Sequence, residues 1–439
     1  MYKLILAFRY LFKKRISYLA FLAVSLCVFI VVVVMTVMTG LVTDFKHKNH
    51  EFVGDCVVGT ESLVGFAYYE DFVRILEATD FIEVVSPVIK SYALVSGHGS
   101  QSGTGLEIMG VDPVRHSRAT GFGKTLYRCK DNVSKAFEPA YDPNLAGCVV
   151  GVDLKLARDT GKGYAVSCFP LTAKGTLAKA GTGLVNSKTF YYSDYSHSGL
   201  ARVDGSMLYL PFEQAQLLCG MAGPDKRICR LHIKFKPNVK LDVGCDKVAS
   251  LWQRFIKERS GDRRADLFKN VAVQSWKTYR RGPIAAMEKE QVMMTVMFGL
   301  VGLTVVFIVF VVFYMIISHK SKDIGILKSI GVSNADLMGL FSGFAFLIAV
   351  LGCCVGVTGG WLFLLKINDI EGWLFEHFRF QLWDRTIYAI GDIPNQVEFK
   401  VLAIIVISAI AACVIGALVP SWRAMRLEPA ETLQVNQLL

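Results

Sequence analysis

The chain has 439 residues, of which 53% are hydrophobic and only 19% are charged, and its mean hydropathy is +0.41. A soluble protein of this length would carry more charge, so the composition argues against a soluble protein and indicates an integral membrane protein. The formal net charge of +11 is spread along the chain. Nucleic-acid binding would need a clustered basic face on a soluble domain, so it is not expected.

Four stretches, residues 16–43, 291–318, 337–365 and 401–422, contain no charged side chain, and each is at least as long as the roughly 20 residues that cross a hydrocarbon core of about 30 Å. They predict transmembrane helices over residues 17–43, 291–318, 338–366 and 401–422. The cytoplasmic N-terminal segment, residues 1–16, is basic like the start of a signal peptide. The apolar run after it is about twice the length of a signal-peptide core, so we expect a retained anchor.

Residues 44–290 carry ordinary charge and are long enough for a separate domain. Helical spacing over residues 69–78 and alternation over 84–95 predict an α+β domain of two small lobes. The segment 174–205, rich in Gly, Ser, Thr and Tyr, is predicted to be an exposed hairpin or loop. Further strands are predicted over 106–111 and 231–235, a helix over 246–258, a strand leading into a helix over 207–218, and a strand, turn and helix over 148–160.

Seven cysteines fall in this domain, and four fall in the predicted spans. Seven is an odd number, and no spacing repeats as in a disulfide framework or a paired zinc site. We therefore expect buried small hydrophobic side chains with one or two bridges. The domain cysteines are Cys56, Cys129, Cys148, Cys168, Cys219, Cys229 and Cys245, and those of the spans are Cys27, Cys353, Cys354 and Cys413.

The short flanks of the spans set the predicted orientation. The N-terminal segment has five basic residues and no acidic one, whereas the loop 367–400 is acidic overall. The positive-inside rule places both termini and the connection 319–337 in the cytoplasm, and places residues 44–290 and 367–400 outside. Arg280 and Arg281 run against this rule, but long translocated domains largely escape it.

The cytoplasmic connection carries a short amphipathic helix with apolar residues at Ile324, Ile326, Leu327 and Ile330, and Gly331 ends it. Two interpretations stay open. The apolar face could enter a groove of a partner protein, or the helix could lie flat among lipid headgroups.

The run KSKDIGILKSIGVS at 320–333, directly after the second span, resembles the coupling segment of the FtsX/MacB/LolC superfamily of ABC-transporter permeases. The tail PSWRAMRLEPAETL at 420–433 resembles the C-terminal signature of that superfamily. Other motifs resemble the lipoprotein-releasing LolC/LolE group: FRYL at 8–11, VVMTVMTGL at 33–41, MGVDP at 109–113, SW at 275–276 and GDIPNQV at 391–397.

This resemblance implies a permease subunit of the mechanotransmission type in the bacterial inner membrane, which extracts lipoproteins for transfer to the outer membrane. It implies a cytoplasmic ABC ATPase dimer that holds ATP and Mg, a second permease subunit in a homo- or heterodimer, and a periplasmic lipoprotein carrier. The lipid bilayer is the remaining partner. No catalytic residue, cofactor or metal is expected on this chain. Two alternatives are a MacB-type efflux permease and an FtsX-like regulator of a cell-wall hydrolase.

Three groups of site residues follow. The resemblance assigns coupling to Ser321, Lys322, Asp323, Ile324, Gly325, Ile326, Leu327, Lys328 and Gly331. Position and apolar character suggest substrate contacts at Met35, Met38 and Leu41 facing Val292, Met293 and Val296. Glycines at four-residue intervals in the third span predict close helix packing at Gly352, Gly356 and Gly360, although membrane helices are rich in glycine generally.

Three patterns imitate catalytic or ligand sites. GFGKT at 121–125 lacks the first glycine of a P-loop. His47, His50 and Glu51 share a helical face, but two histidines without further ligands are usually surface residues. Asp194, His197 and Ser198 stand too close together to argue a hydrolase triad.

Overall fold

The fold is that of a computed structural model, which describes residues 15–97, 103–154, 156, 161, 163–177, 185–223, 226–262, 264–319, 324, 326, 328–379 and 393–426. The chain divides into two compact units. The helical unit comprises Met1–Thr43, Ala286–Trp383 and Asp392–Leu439, and the sheet domain comprises Asp44–Ala285 and Asp384–Gly391.

The elements are numbered in chain order. The described helices are α1 Arg15–Val53, α2 Tyr69–Glu77, α3 Pro113–Ala119, α4 Phe122–Thr125, α5 Ala201–Asp204, α6 Phe212–Leu218, α7 Leu241–Glu258, α8 Trp276–Tyr279, α9 Arg281–His319, α10 Asn334–Phe378 and α11 Phe399–Arg426. The described strands are β1 Cys56–Gly59, β2 Phe66–Ala67, β3 Ile82–Gly97, β4 Thr104–Val111, β5 Gly147–Gly151, β6 Gly163–Cys168, β7 Asn186–Ser196, β8 Met207–Pro211, β9 Arg227–Ile228, β10 Arg230–Phe235 and β11 Ala272–Ser275.

Four helices, α1, α9, α10 and α11, are long and apolar enough to cross a membrane. On α1, Val24, Val28 and Val32 recur every fourth residue and therefore lie on one face. They belong to one buried apolar cluster with side chains of the other helices, such as Phe313 and Ala349. The predicted fold class, four apolar helices with a large domain of helices and strands, is confirmed.

The sheet domain is built on nine strands in the order β11-β1-β10-β3-β4-β8-β5-β7-β6. The 16-residue strand β3 pairs with β10 at its start, with β4 along its second half and with β6 at its end. Because β3 contacts both β4 and β6, the last six strands of this order close into a ring. The pairs β4–β8 and β5–β7 are parallel, which makes the sheet mixed.

Both faces of this sheet are buried, because successive side chains of a strand point to opposite faces. Ile89 and Ile108 belong to a core with Phe72 of α2 and Trp252 of α7. The neighbouring residues Val88 and Met109 belong instead to a second core, with Phe122 and Tyr209. The strands therefore read as nearly continuous apolar runs.

Several sequence predictions are confirmed. The helix predicted over residues 69–78 is α2, the strands over 84–95 and 106–111 lie within β3 and β4, and the strand and helix over 207–218 are β8 and α6. The helix predicted over 246–258 begins five residues earlier, at Leu241. Of the segment 148–160, the strand is β5, whereas most of the predicted helix lies outside the described residues.

Of the exposed hairpin or loop predicted over 174–205, the antiparallel pairing of β7 with β6 agrees with a hairpin, whereas the exposure is wrong for the second half of β7. Its described part contains β7, an 11-residue strand that pairs with β5 and β6. Phe190 and Ser193 are buried, and the Ser193 hydroxyl donates to the carbonyl oxygens of Ala136 and Cys148 at 2.7 and 2.8 Å. Polar strand residues are thus satisfied by partners distant in sequence. Two separate lobes are likewise not seen, since one sheet joins nine of the eleven described strands, and β2 and β9 form a small pair of their own.

Candidate functional site

An apolar cavity of about 540 Å³ lies within the helical unit, among α1, α9 and α11. Hydroxyl groups are the main polar features of its lining. Those of Thr295 and Ser408 donate to carbonyl oxygens of their own helices, Gln291 at 2.8 Å and Ile405 at 2.9 Å. Back-bonded hydroxyls need no further partner. The cavity therefore offers a ligand almost only aliphatic surface.

Small residues create the space. On α9, a methyl group added at Gly299 or Gly302 would meet no heavy atom within 4 Å. On α11, three of the lining residues are alanines, Ala409, Ala411 and Ala412. Gly416 differs, because an added Cβ there would lie 2.7 Å from the carbonyl oxygen of Val306. The two helices thus touch at Gly416 and leave room at Gly299 and Gly302.

One of the predicted substrate-contacting residues, Met35, lines this cavity. Met38 is half-buried and Leu41 is buried, whereas Val292, Met293 and Val296 are exposed on α9. The amide Nε2 of Gln291 donates to the Thr39 hydroxyl at 3.4 Å, so these parts of α1 and α9 are neighbours. The sequence argument missed α11 altogether, and its run of alanines was the available signal.

The third-span glycines lie against α1. An added Cβ would meet Val24 at 2.9 Å from Gly352, the Ser25 carbonyl oxygen at 2.7 Å from Gly356, and Val32 at 3.1 Å from Gly360. A side chain would collide at Gly352 and Gly356 and would fit only tightly at Gly360. The α1 side chains in this contact are the regularly spaced valines of the helical core.

The predicted coupling segment is described in part, since Ser321, Lys322, Asp323, Gly325 and Leu327 lie outside the described residues. Ile324 is buried in a cluster with Ile317, Leu337 and Phe341. Ile326 and Ile330 are 48% and 75% exposed, and Lys328 is half-buried. Gly331 ends the turn with a φ of +94°, a conformation that favours glycine. One side of the segment is therefore anchored, and two isoleucines face outward.

A second feature, which we call the clasp, lies in the sheet domain and comprises Asn49, His50, Asp55, Trp276 and Arg280. Arg280 Nε donates to Asn49 Oδ1 at 2.6 Å. His50 Nε2 lies 2.7 Å from Asp55 Oδ1, and its ring stacks on Trp276 with centroids 4.8 Å apart. The clasp thus joins the end of α1 to the residues just before α9. In the sequence, the only indication of the clasp was that Arg280 departs from the positive-inside rule.

The other polar candidates have structural partners. Glu51 pairs with Lys124 at 2.7 Å and with His47 at 3.6 Å. The buried Asp194 carboxylate accepts backbone N–H groups of Arg128, Cys129 and Tyr195 at 2.8–3.0 Å. The Ser198 hydroxyl donates to Asp204. Among the described residues, no group of three or more His, Cys, Asp or Glu could hold a metal ion.

Residues 295–429 match the family described as FtsX-like permease C-terminal. The chain is 22% identical over 433 residues to the lipoprotein-releasing system transmembrane protein LolC of Xylella fastidiosa strain Temecula1, covering 97% of both chains. It is 24% identical over 434 residues to LolC of Neisseria meningitidis serogroup B, covering 96% of both. The crystal structure of the periplasmic region of MacB from Actinobacillus actinomycetemcomitans aligns at 12% identity and a TM-score of 0.30, covering 53% of this chain and 92% of that one.

The family match covers α10 and α11 and most of the apolar part of α9, and the similarity to the LolC relatives covers nearly the whole chain. Four helices long and apolar enough to cross a membrane agree with these similarities. The chain thus carries a region similar to the FtsX-like permeases and is similar to LolC over nearly its whole length.

Proposed function

We propose that this permease subunit extracts lipoproteins from the inner membrane, for transfer to the outer membrane, under the drive of a separate ATPase. The observation that carries the proposal is the apolar cavity among α1, α9 and α11. Its volume of about 540 Å³ falls within the roughly 300–1,000 Å³ of ligand sites. Its hydroxyls are already bonded, so it suits acyl chains better than an ion or a polar solute.

The absence of charge from three of the predicted spans supports the same substrate class. Transported ions and protons need ionisable groups at membrane depth, and such groups are costly unless they are functional. Residues 17–43, 291–318 and 401–422 contain none. An acyl chain asks only for apolar surface and space, which Met35 and the open glycines of α9 supply.

The conformational change of the ATPase would be transmitted to the membrane helices through residues 319–337. Exposed Ile326 and Ile330 present an apolar face that a groove of a cytoplasmic ATPase dimer would cover. Ser321, Lys322, Asp323, Gly325, Leu327, Lys328 and Gly331 would complete this contact. Both termini are then cytoplasmic, and ATP and Mg are held by the ATPase. A second permease subunit would complete the membrane core.

The sheet domain would lie outside the cytoplasm, receive the polypeptide part of the lipoprotein and pass it to a soluble carrier. The clasp fits a role in this step, because it fixes the end of α1 against the residues that precede α9. A movement of either helix would then reach the strands beside it. The backbone N–H of Trp276 bonds to the Asp55 carbonyl oxygen at 3.0 Å, directly before β1.

Depletion of the chain, followed by fractionation of outer-membrane lipoproteins, tests the proposal. We expect the lipoproteins to stay in the inner membrane, and expect wild-type protein but not an Ile326→Glu/Ile330→Glu variant to restore their sorting. Normal sorting together with altered cell-wall turnover would instead support a regulator of a cell-wall hydrolase. Normal sorting with loss of resistance to exported toxic compounds would support an efflux permease.

A further inference from the structure

A short segment directly before α11, residues 393–398, is neither helix nor strand, and we call it the strap. One side chain of α10 holds its first residue. The Asn368 amide Nδ2 donates to the carbonyl oxygen of Ile393 at 3.3 Å, and the backbone N–H of Ile393 donates to Asn368 Oδ1 at 2.8 Å. The Ile393 side chain is itself buried. Two hydrogen bonds and burial therefore fix the start of the strap on α10.

The next residue of the strap, Pro394, lies against Gly40 of α1. A Cβ added at Gly40 would collide with the Cβ of Pro394 and would lie 3.4 Å from its Cγ. Further along the strap, Val397 packs against the same apolar core as Val37 of α1. The absence of a side chain at position 40 therefore lets the strap lie directly on the backbone of α1.

The strap and the apolar cavity lie on different sides of α1. Met35 lines the cavity, and Gly40 follows it by five residues, which is about 140° round a helix of 3.6 residues per turn. Thr39 is only about 40° from Met35, and its hydroxyl accepts Gln291 Nε2 of α9 at 3.4 Å. Beyond Met35, α1 is thus held by α9 on the side of the cavity and by the strap on the other side.

We propose that Asn368 and Pro394 are positioning residues of the acyl-chain site, because the strap holds the Gly40 end of α1 towards α9 and so sets the width of the cavity; this rests on the proposed function. The glycines of α10 fix α1 as far as Val32, and the strap fixes it eight residues further on. Met35 lies between these two contacts. A closely packed contact transmits a displacement, so a change at Gly40 moves the cavity wall. The strap acts through α1 and touches no acyl chain itself.

The test measures capture of an acylated lipoprotein by a photoreactive residue at position 35 of the full-length protein in native membranes, at equal amounts of folded protein. Gly40→Ala adds the methyl group that collides with Pro394. We expect capture to fall about fivefold, which corresponds to about 1 kcal/mol. Gly343→Ala adds a methyl group that meets nothing within 4 Å, and this matched control should leave capture unchanged. Unchanged capture in Gly40→Ala would overturn the proposal.

Double-mutant cycles test whether the effect passes through the strap. Pro394→Gly removes the atoms that collide with the new methyl group, and Asn368→Leu removes both hydrogen bonds to Ile393. Each substitution alone should lower capture about threefold. In either background, Gly40→Ala should lower capture by less than about twofold more, because the strap no longer opposes the methyl group. A further fall of about fivefold in both backgrounds would reject the role of the strap.

The same measurement separates this inference from the proposed function. If capture at position 35 depends on the acyl chains but Gly40→Ala lowers it equally with and without the strap contact, only the role of Asn368 and Pro394 is rejected. If a lipoprotein without acyl chains is captured equally well by the otherwise unchanged protein, the proposed function fails, and the positioning role fails with it.

Discussion

The helical unit and the sheet domain bury different kinds of groups. Buried polar residues of the helical unit, where described, are Thr36, Glu371 and Ser421. The sheet domain buries many more, including Arg227 and Asp194. Shape therefore specifies the helical unit, where small residues decide which helices touch. Hydrogen bonds to distant backbone groups specify the sheet domain, because a buried polar group without a partner costs free energy.

The largest effect is expected at Arg227, the most demanding buried group. Its guanidinium donates to the carbonyl oxygens of Val64, Leu171, Thr172 and Gly220 at 2.7–3.3 Å. Arg227→Met keeps most of the volume but removes these donors, and we expect the free energy of unfolding to fall by roughly 3–5 kcal/mol. Chemical denaturation followed by tryptophan fluorescence measures this. A loss below about 1 kcal/mol would contradict the account of the domain.

In the helical unit, the counterpart of Arg227→Met is a substitution that overfills a contact between two helices. Gly356→Leu places a side chain where the Ser25 carbonyl oxygen and Val28 already lie within 2.7–2.8 Å of a Cβ. Overpacking should lower the free energy of unfolding by about 1–3 kcal/mol. Thermal unfolding in detergent measures the loss. Gly343→Leu, on the same helix but with nothing near its Cβ, serves as the matched control.

Acidification should lower the stability of the sheet domain through its two buried histidines. Burial lowers the pKa of His116 to about 3 and holds the pKa of His232 well below its usual range. Both are neutral in the fold, whereas an unfolded histidine has a pKa of about 6.5. The contribution of these neutral histidines to the free energy of unfolding is thus fully present above about pH 6.5. It is lost as the pH falls towards 3, by up to about 1.4 kcal/mol per histidine per pH unit.

The rings of His116 and His232 lie 5.5 Å apart, so charging either one opposes charging the other. The melting temperature of the wild-type protein should therefore fall between pH 7.5 and pH 5, and it should fall less in His232→Phe. An unchanged pH profile in the variant would show that these histidines do not govern acid sensitivity.

The smallest effect on stability is expected at the cavity. Gly302→Leu adds atoms where a Cβ meets nothing, so the free energy of unfolding should change by no more than about 0.5 kcal/mol. Lipoprotein release by membrane preparations should nevertheless fall about tenfold, which corresponds to about 1.4 kcal/mol of lost binding. Equal loss of release in Gly343→Leu would show that the cavity is not the relevant site.

The helical unit was largely predictable, because an absence of charge over residues 291–318 is a local property of the sequence. So were α2 and β3, whose apolar periods are regular. Strand β7 was not, since its polar residues are satisfied by Ala136 and Cys148, which only the fold brings near. The cavity also escaped prediction, because α11 has to be placed beside α1 and α9 before its alanines matter.

The proposed coupling residues illustrate a different limit. Family resemblance named the segment around Ile324, and local spacing named its apolar residues. Which isoleucines face inward depends on the neighbouring helix ends, where Ile317 and Leu337 bury Ile324 and leave Ile330 exposed. Sequence period alone could not distinguish these two positions.

Photo-crosslinking from the cavity tests the central claim most directly. A photoreactive residue would replace Met35, which lines the cavity, or Phe307, which is 66% exposed on α9 and serves as the control. We expect position 35 to capture an acylated lipoprotein, and to capture it far less when the lipoprotein lacks its acyl chains. Capture at position 307 should be weak with either form. Equal capture at both positions, or capture at position 35 without dependence on the acyl chains, would contradict the proposed function.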